Sequence, residues 1–364
     1  MDNCNNNTEE VILVFNAENQ YEVREPHVLR ALTYSWLPSW WHKEYGMEFG
    51  EKYMFDPDYR IDICVQMQKR IAERYSGIGI GDENAEPFSV SPSFINATAV
   101  ACAGGEVVYP IDNYPISIPM KREDLEKLEF PEKVEEVPPY RAVVEQVEYM
   151  NKKYGFDSRP YFWKNGVSND ILMLLDNDMF LEMMDDTPLF RKLRDYSLYI
   201  WRETLDYGMR HDSLPPRIMM PCCSAHLIGP ELYEKHFLET DLKVYDKIRE
   251  TGKIFFLHHC GHFDPFKDVY RKFPKIDLLQ VGFSSDPVLA LETFPEADVE
   301  MFLDPYFFKD ETKEVVVDKI NDILRKTKGY WERFSFFMCD IDAGVPDENL
   351  IALYECCRDA AKLN

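Results

Sequence analysis

Positive charge is scarce in this sequence: 41 Lys and Arg stand against 65 Asp and Glu, a formal net charge of −24 over 364 residues. A surface of that sign repels phosphate backbones and anionic headgroups, which excludes nucleic acid as a partner. No apolar run approaches the roughly 20 residues that a membrane-spanning helix needs, so no membrane association is expected. The opening MDNCNNNTEE has neither the basic nor the apolar stretch of a secretory leader, and the expected location is cytoplasmic. Asn96-Ala97-Thr98 then carries no weight as a glycosylation site. The nine cysteines lack the spacing of a small disulfide framework, so reduced thiols are expected. A GxGxxG opening is missing too, and Gly77-Ile78-Gly79-Ile80-Gly81 runs into Asp82 and Glu83, whose charge opposes phosphate; it reads as a turn.

What the chain has is apolar substance, 45 % hydrophobic and 14 % aromatic residues, enough for a large core. The last 150 residues alternate short apolar runs with amphipathic stretches. Arg217 to Cys222, Lys253 to His258, Ile276 to Phe283, Val299 to Leu303 and Phe334 to Met338 read as strands. Helices are expected over 230–251, near 265–272, and over 286–293, 313–326 and 346–362. This rhythm predicts an α/β fold, a (β/α)8 TIM barrel with an N-terminal extension. The charged stretch 121–139 reads as a surface helix and connection. The first dozen residues read as a frayed tail; with the boundary set at residue 20, 21–364 is expected to be a single domain.

Three of the eight histidines sit in Phe256-Leu257-His258-His259-Cys260-Gly261-His262, at the C-terminal end of one of these strands, which is the working face of a barrel. Alternation along an extended segment puts His258 and Cys260 on one side and His259 on the other. Cys339 ends a later strand in the equivalent place. An imidazole and two thiolates suit Zn²⁺, and three protein ligands leave a fourth position open for catalysis. The competing reading of this trio is buried core cysteines beside a satisfied histidine.

The motifs Leu257-His258-His259-Cys260-Gly261 and Met338-Cys339-Asp340, followed by Val345-Pro346-Asp347-Glu348-Asn349-Leu350, resemble those of the uroporphyrinogen decarboxylase superfamily, in particular its zinc-dependent corrinoid methyltransferase branch. The resemblance spans about residues 167 to 360 and includes Asp185-Asp186-Thr187-Pro188, Ile228-Gly229-Pro230-Glu231 and Leu303-Asp304-Pro305; Pro26 to Leu32 and Phe49 to Arg60 match only generally. It implies zinc on His258, Cys260 and Cys339, and a corrinoid (cobalamin) supplied by a partner protein. The implied activity moves a methyl group between that corrinoid and a small methylated or methoxylated compound or a thiol, in an O-demethylase-like manner, with a homodimer as one compatible assembly. Two departures argue against the decarboxylase chemistry of the superfamily. The Arg-rich N-terminal segment of the true decarboxylases is missing around Ser35 to His42, and Cys222 stands where they have an Asp.

Cys222 is accordingly a candidate further ligand, as are Cys223 and His226. Asp340, Asp342 and His259 are candidate catalytic groups, with Asp340 or Asp342 as acid/base and His259 or His262 orienting ligands or substrate. Cys356 and Cys357 lie in a helix and read as structural. The aromatics Trp36, Trp40, Trp41, Tyr45, Phe49, Tyr53, Tyr161, Phe162 and Trp163 are candidates for a pocket wall, against a core role for each. Two other functions stay open: a cofactor-free decarboxylase, which needs basic residues converging on the barrel mouth, and a non-catalytic zinc- or corrinoid-binding protein, which needs a fourth protein ligand.

Overall fold

The computed structural model describes residues 19–363. Nearly all of the tail expected at 1–20 lies outside the described residues. Nine strands follow in chain order: β1 (Gln20–Glu22), β2 (Ala31–Trp36), β3 (Val107–Val108), β4 (Ile116–Ser117), β5 (Arg217–Pro221), β6 (Ile254–His259), β7 (Leu278–Gly282), β8 (Asp298–Leu303) and β9 (Phe334–Ile341). Strands β3 and β4 form a separate ribbon, and the other seven make one sheet in the order β1-β2-β9-β8-β7-β6-β5. Only β1 runs antiparallel to its neighbour. The parallel strands are covered on both faces, so β2, β5 and β7 are buried along their whole length.

The sheet curls. Ser35 of β2 and Pro221 of β5 sit near opposite ends of the strand order, yet they line the same cavity. Eight strands closed by hydrogen bonds were expected; among the described residues seven pair, and β1 and β5 remain edges. Extended segments occupy part of the interval. The Asn165 side-chain amide donates to the Ile95 carbonyl at 3.1 Å, Trp201 Nε1 donates to the Asn165 carbonyl at 2.8 Å, and Trp163 packs on Met219, Phe256 and Leu278 inside the curl. The fold is therefore a mixed α/β architecture around a curled, mostly parallel sheet.

Proline and short capping side chains set the helix starts. Asp56, Asp286 and Asp304 each accept backbone N–H bonds just ahead of a proline that opens a helix, and Thr187 does the same before Pro188. The helix expected over 230–251 divides into Pro230–His236 and Leu238–Glu250. Phe237 lies at the break, fully buried against Phe190, and the His236 carbonyl exposed by the break accepts from Arg194 Nη1 at 3.0 Å. Residues 265–272 give only single turns at Asp264–Phe266 and Lys267–Tyr270. In the charged stretch a helix covers only Arg122–Glu126, and Pro138-Pro139, read as part of a connection, opens the long helix Pro138–Tyr154. The helices over 287–293, 313–326 and 347–359 follow the expected pattern. No helix among the described residues is long and apolar enough to cross a membrane.

Candidate metal centre

Register decides which side chains meet. Pro221 pairs with His258, His258 with Gln280, and Gln280 with Glu300, so these four residues from β5 to β8 form one rung inside the curl. Since Pro221 shares the His258 face, the next residue must turn away and the one after must return. Cys222 accordingly points into the helical layer, 1 % exposed, with its Sγ 3.9 Å from the Tyr233 hydroxyl and 4.0 Å from Asp241 Oδ2. Cys223 turns inward. One ligand atom from each of Cys223, His258 and Cys260 lies within 4.8 Å of the others, which corrects the expectation for Cys222.

Their hydrogen bonds are those of a ligand set. A bond from Cys260 holds the Cys223 thiol below its ordinary pKa, and the same bond, with burial, pushes Cys260 up. Burial alone would lower the pKa of His258, but its contacts with Cys260 and Gln280 raise it. Gln280 Nε2 donates to Glu300 Oε1, which leaves its amide oxygen to face His258 Nδ1. The proton is thereby kept on Nδ1 and the Nε2 lone pair is free for a metal, the usual role of the groups behind a metal-binding imidazole. Burial lifts Glu300 to about 6, so it is mostly ionised at neutral pH and able to hold that orientation. Replacing Gln280 by Leu is expected to weaken any metal held by Cys223, His258 and Cys260 by about 10- to 100-fold with the fold retained, read by competition with a chromophoric chelator.

Cys339 stands in the wall of the same cavity, but its sulfur is not part of the three-donor group. It accepts from Ser35 Oγ at 3.3 Å and donates to Asp340 Oδ1 at 3.3 Å, and burial pushes its thiol up. Asp340 also lines the cavity, whereas Asp342 lines an adjoining outer cavity and accepts from Ser39 Oγ and the Ala343 N–H. His259 lies apart from these groups: fully buried, it packs on Phe266 with Nδ1 2.7 Å from the Tyr270 hydroxyl, and burial depresses it to about 3. His262 is exposed near Asp264, and His226 Nδ1 contacts the Cys223 carbonyl. Cys356 and Cys357 are buried in the helix Asp347–Asp359.

The cavity at these side chains measures about 350 Å³. Of the nine aromatic residues singled out in the sequence, only Trp163 lines it; Trp36, Trp40 and Trp41 pack with one another and with Tyr21, Tyr45 and Tyr75 in the core. Its other aromatic walls, Tyr114 and Phe302, carried no signal in the sequence. The Phe302 ring lies 5.6 Å from that of His258. Among the described residues no Lys or Arg lines the cavity, so they provide there none of the basic convergence that the decarboxylase alternative needs.

No protein-family model matches the chain. No curated protein matches it either. Among solved structures it is similar to a methyltransferase from Methanosarcina mazei, with 14 % sequence identity, a TM-score of 0.61 and 94 % of each chain covered. At this identity the likeness establishes a shared fold over nearly the whole length.

Proposed function

We propose that the chain is a zinc-dependent methyltransferase moving a methyl group between a small methylated compound or thiol and a corrinoid carried by a partner protein. The observation that carries this reading is the convergence of Cys223, His258 and Cys260 within 4.8 Å, beside a cavity able to admit a small molecule. Two sulfurs and one imidazole nitrogen about 3 to 4 Å apart are what tetrahedral Zn²⁺ requires, given Zn–S of about 2.3 Å and Zn–N of about 2.0 Å. The fold shared with the methyltransferase from Methanosarcina mazei supports the same reaction class. Complete closure of the sheet into an eight-stranded barrel belongs to the same proposal.

Zinc bound there supplies a Lewis acid that polarises a methoxy oxygen or keeps a substrate thiol as thiolate. The chain's residues do the rest of the positioning. His258 and Cys260, two apart on one face, form a chelating pair; Gln280 fixes the imidazole; Trp163 and Phe302 keep water from the reacting heteroatom; and Asp340 is the charged contact with the substrate. A second reading has one observation in its favour: Cys339 lines the same cavity, and its sulfur as a fourth protein ligand would close the metal into a structural site.

One experiment separates them. Zinc-loaded protein is mixed with cob(I)alamin and a panel of methyl ethers, methyl thioethers and methylated amines, and the cobalt spectrum is followed. Conversion to methylcobalamin is expected, with an X-ray absorption spectrum showing three protein ligands and one exchangeable light ligand. Four protein ligands and an unchanged cobalt spectrum would establish the structural site instead.

A further inference from the structure

We infer that the small molecule exchanging its methyl group at this centre is an organic cation, a protonated amine that carries the reacting heteroatom a few bonds away. The inference rests on the proposed methyl-transfer function and adds the charge of its substrate.

The charge pattern of the inner cavity is one-sided. Among the described residues that line it none is Lys or Arg, and the one carboxylate is Asp340. Carboxamides supply much of the remaining polarity, through Gln20, Asn96, Asn165 and Asn169, and Tyr114, Trp163 and Phe302 supply aromatic surface. Lys309 and Lys319 line only the outer cavity. Aromatic faces with a carboxylate and no competing cation form the environment in which ammonium groups bind, through the negative ring faces and a direct ion pair.

The backbone places Asp340 there deliberately. Pairing between β2 and β9 is regular to Tyr34 and Met338 but resumes at Trp36 and Ile341, so Ser35 alone faces both Cys339 and Asp340. This bulge inserts one residue into β9, and Asp340 adopts φ +56°, a left-handed conformation uncommon outside glycine. Without the bulge Asp340 would alternate away from Cys339; with it, both face the cavity. Among the described residues the carboxylate has no ion pair, and its side-chain bond comes from the Cys339 thiol. A bulge that turns a carboxylate inward with a thiol donor but, among the described residues, no Lys or Arg in ion-pair contact leaves the cationic partner to be supplied by the ligand.

The charge count at the centre points the same way. Zn²⁺ with two thiolates and a neutral imidazole has no net charge. A substrate thiolate on the metal brings it to −1, and Asp340 in its ionised form to −2, in a cavity of a chain already at −24. A carboxylate or sulfonate tail would deepen that excess, whereas an ammonium tail relieves it.

Three short thiols isolate the tail charge because all present the same sulfur to the metal: 2-aminoethanethiol, 2-mercaptoethanol and 3-mercaptopropionate. Binding to zinc-loaded protein is measured by calorimetry at pH 7. The amine is expected to bind at least tenfold more tightly than the carboxylate, with the alcohol between them. In Asp340→Asn the amine-to-alcohol affinity ratio is expected to fall to near one; Asn tolerates the left-handed conformation, so the bulge persists. A carboxylate that binds as tightly as the amine, or a ratio unmoved in Asp340→Asn, overturns the inference. Methylation of cob(I)alamin by the S-methyl derivatives of the same three thiols is scored in parallel. A protein that prefers the amine but leaves cobalt unmethylated removes the transferase reading alone, and one that methylates cobalt without the preference removes the charge assignment alone.

Discussion

With zinc held as proposed, Cys260→Ala is expected to reduce it from one equivalent per chain to below about a tenth after dialysis, and the proposed methyl transfer to cobalamin by at least about a thousandfold. Cys260 belongs to both close contacts of the donor group, holding the Cys223 thiol below its ordinary pKa and raising His258. Its loss leaves two donors on different segments, His258 on β6 and Cys223 in the turn after β5, and the chelate of two ligands on one segment is gone. Structural zinc sites are worth on the order of 10 to 16 kcal/mol, so one of three ligands carries several kcal/mol, and each 1.4 kcal/mol is tenfold in affinity. The companion variants discriminate between sulfurs. Cys223→Ala should lose zinc about as steeply as Cys260→Ala, because its sulfur is in the three-donor group, while Cys339→Ala should retain most of its metal. Elemental analysis with chelator competition reads both. The reverse order would make Cys339 the third ligand, as the sequence motif implies, and would require β9 to approach the group when metal binds.

The distinction between Cys222 and Cys223 shows where the sequence stopped being legible. Neighbouring cysteines at a strand end are chemically alike, and which one faces inward depends on pairing with β6, a register between residues 37 apart in the chain. Within one segment that information was present: His258 and Cys260 were read onto one face and His259 onto the other, and the structure keeps that separation. The βα rhythm after residue 217 was legible because each strand is a compact apolar run followed by a capped helix. The segment from 86 to 166 has the long helix Pro138–Tyr154 but no such alternation, and what it brings to the cavity comes from single contacts such as Asn165 on Ile95 and Trp163 on Met219.

Gln280 and Glu300 were missed although each left a mark. Gln280 in Leu278–Gly282 and Glu300 in Asp298–Leu303 each stand between apolar neighbours in the middle of a strand. A buried polar group needs a partner, so such interruptions on adjacent strands announce a hydrogen-bonded rung before any register is known. The bulge at Asp340 left no mark at all. Nothing in Met338-Cys339-Asp340-Ile341 differs in pattern from a strand that simply ends, and the residue expected as an acid or base turns inward only through its pairing with β2.

Gly166→Ala tests how the open side of the sheet is filled, and a large loss of stability is expected. Gly166 precedes the helix Val167–Leu175, and a Cβ placed on it would lie 1.8 Å from the Pro221 carbonyl oxygen and 2.9 Å from the carbonyl carbon. Both atoms are backbone, so no rotamer change relieves the clash, and segment 160–166 must move away from β5. Overpacking of buried positions usually costs about 1 to 3 kcal/mol, and a backbone collision of this kind belongs at or above the upper end. A fall of several degrees in melting temperature is expected, with about 2 to 4 °C per kcal/mol as the scale for sizeable domains. Zinc affinity should fall with it, because Pro221 is two residues from Cys223 and opposite His258. Gly77→Ala is the control, since a Cβ there meets nothing within 4 Å. Thermal melts of the three proteins, with and without zinc, give the comparison. A Gly166→Ala protein melting within about 1 °C of the parent would mean that the 160–166 segment does not press on β5, and the cavity would then lack the wall that brings Trp163 and Asn165 to the metal.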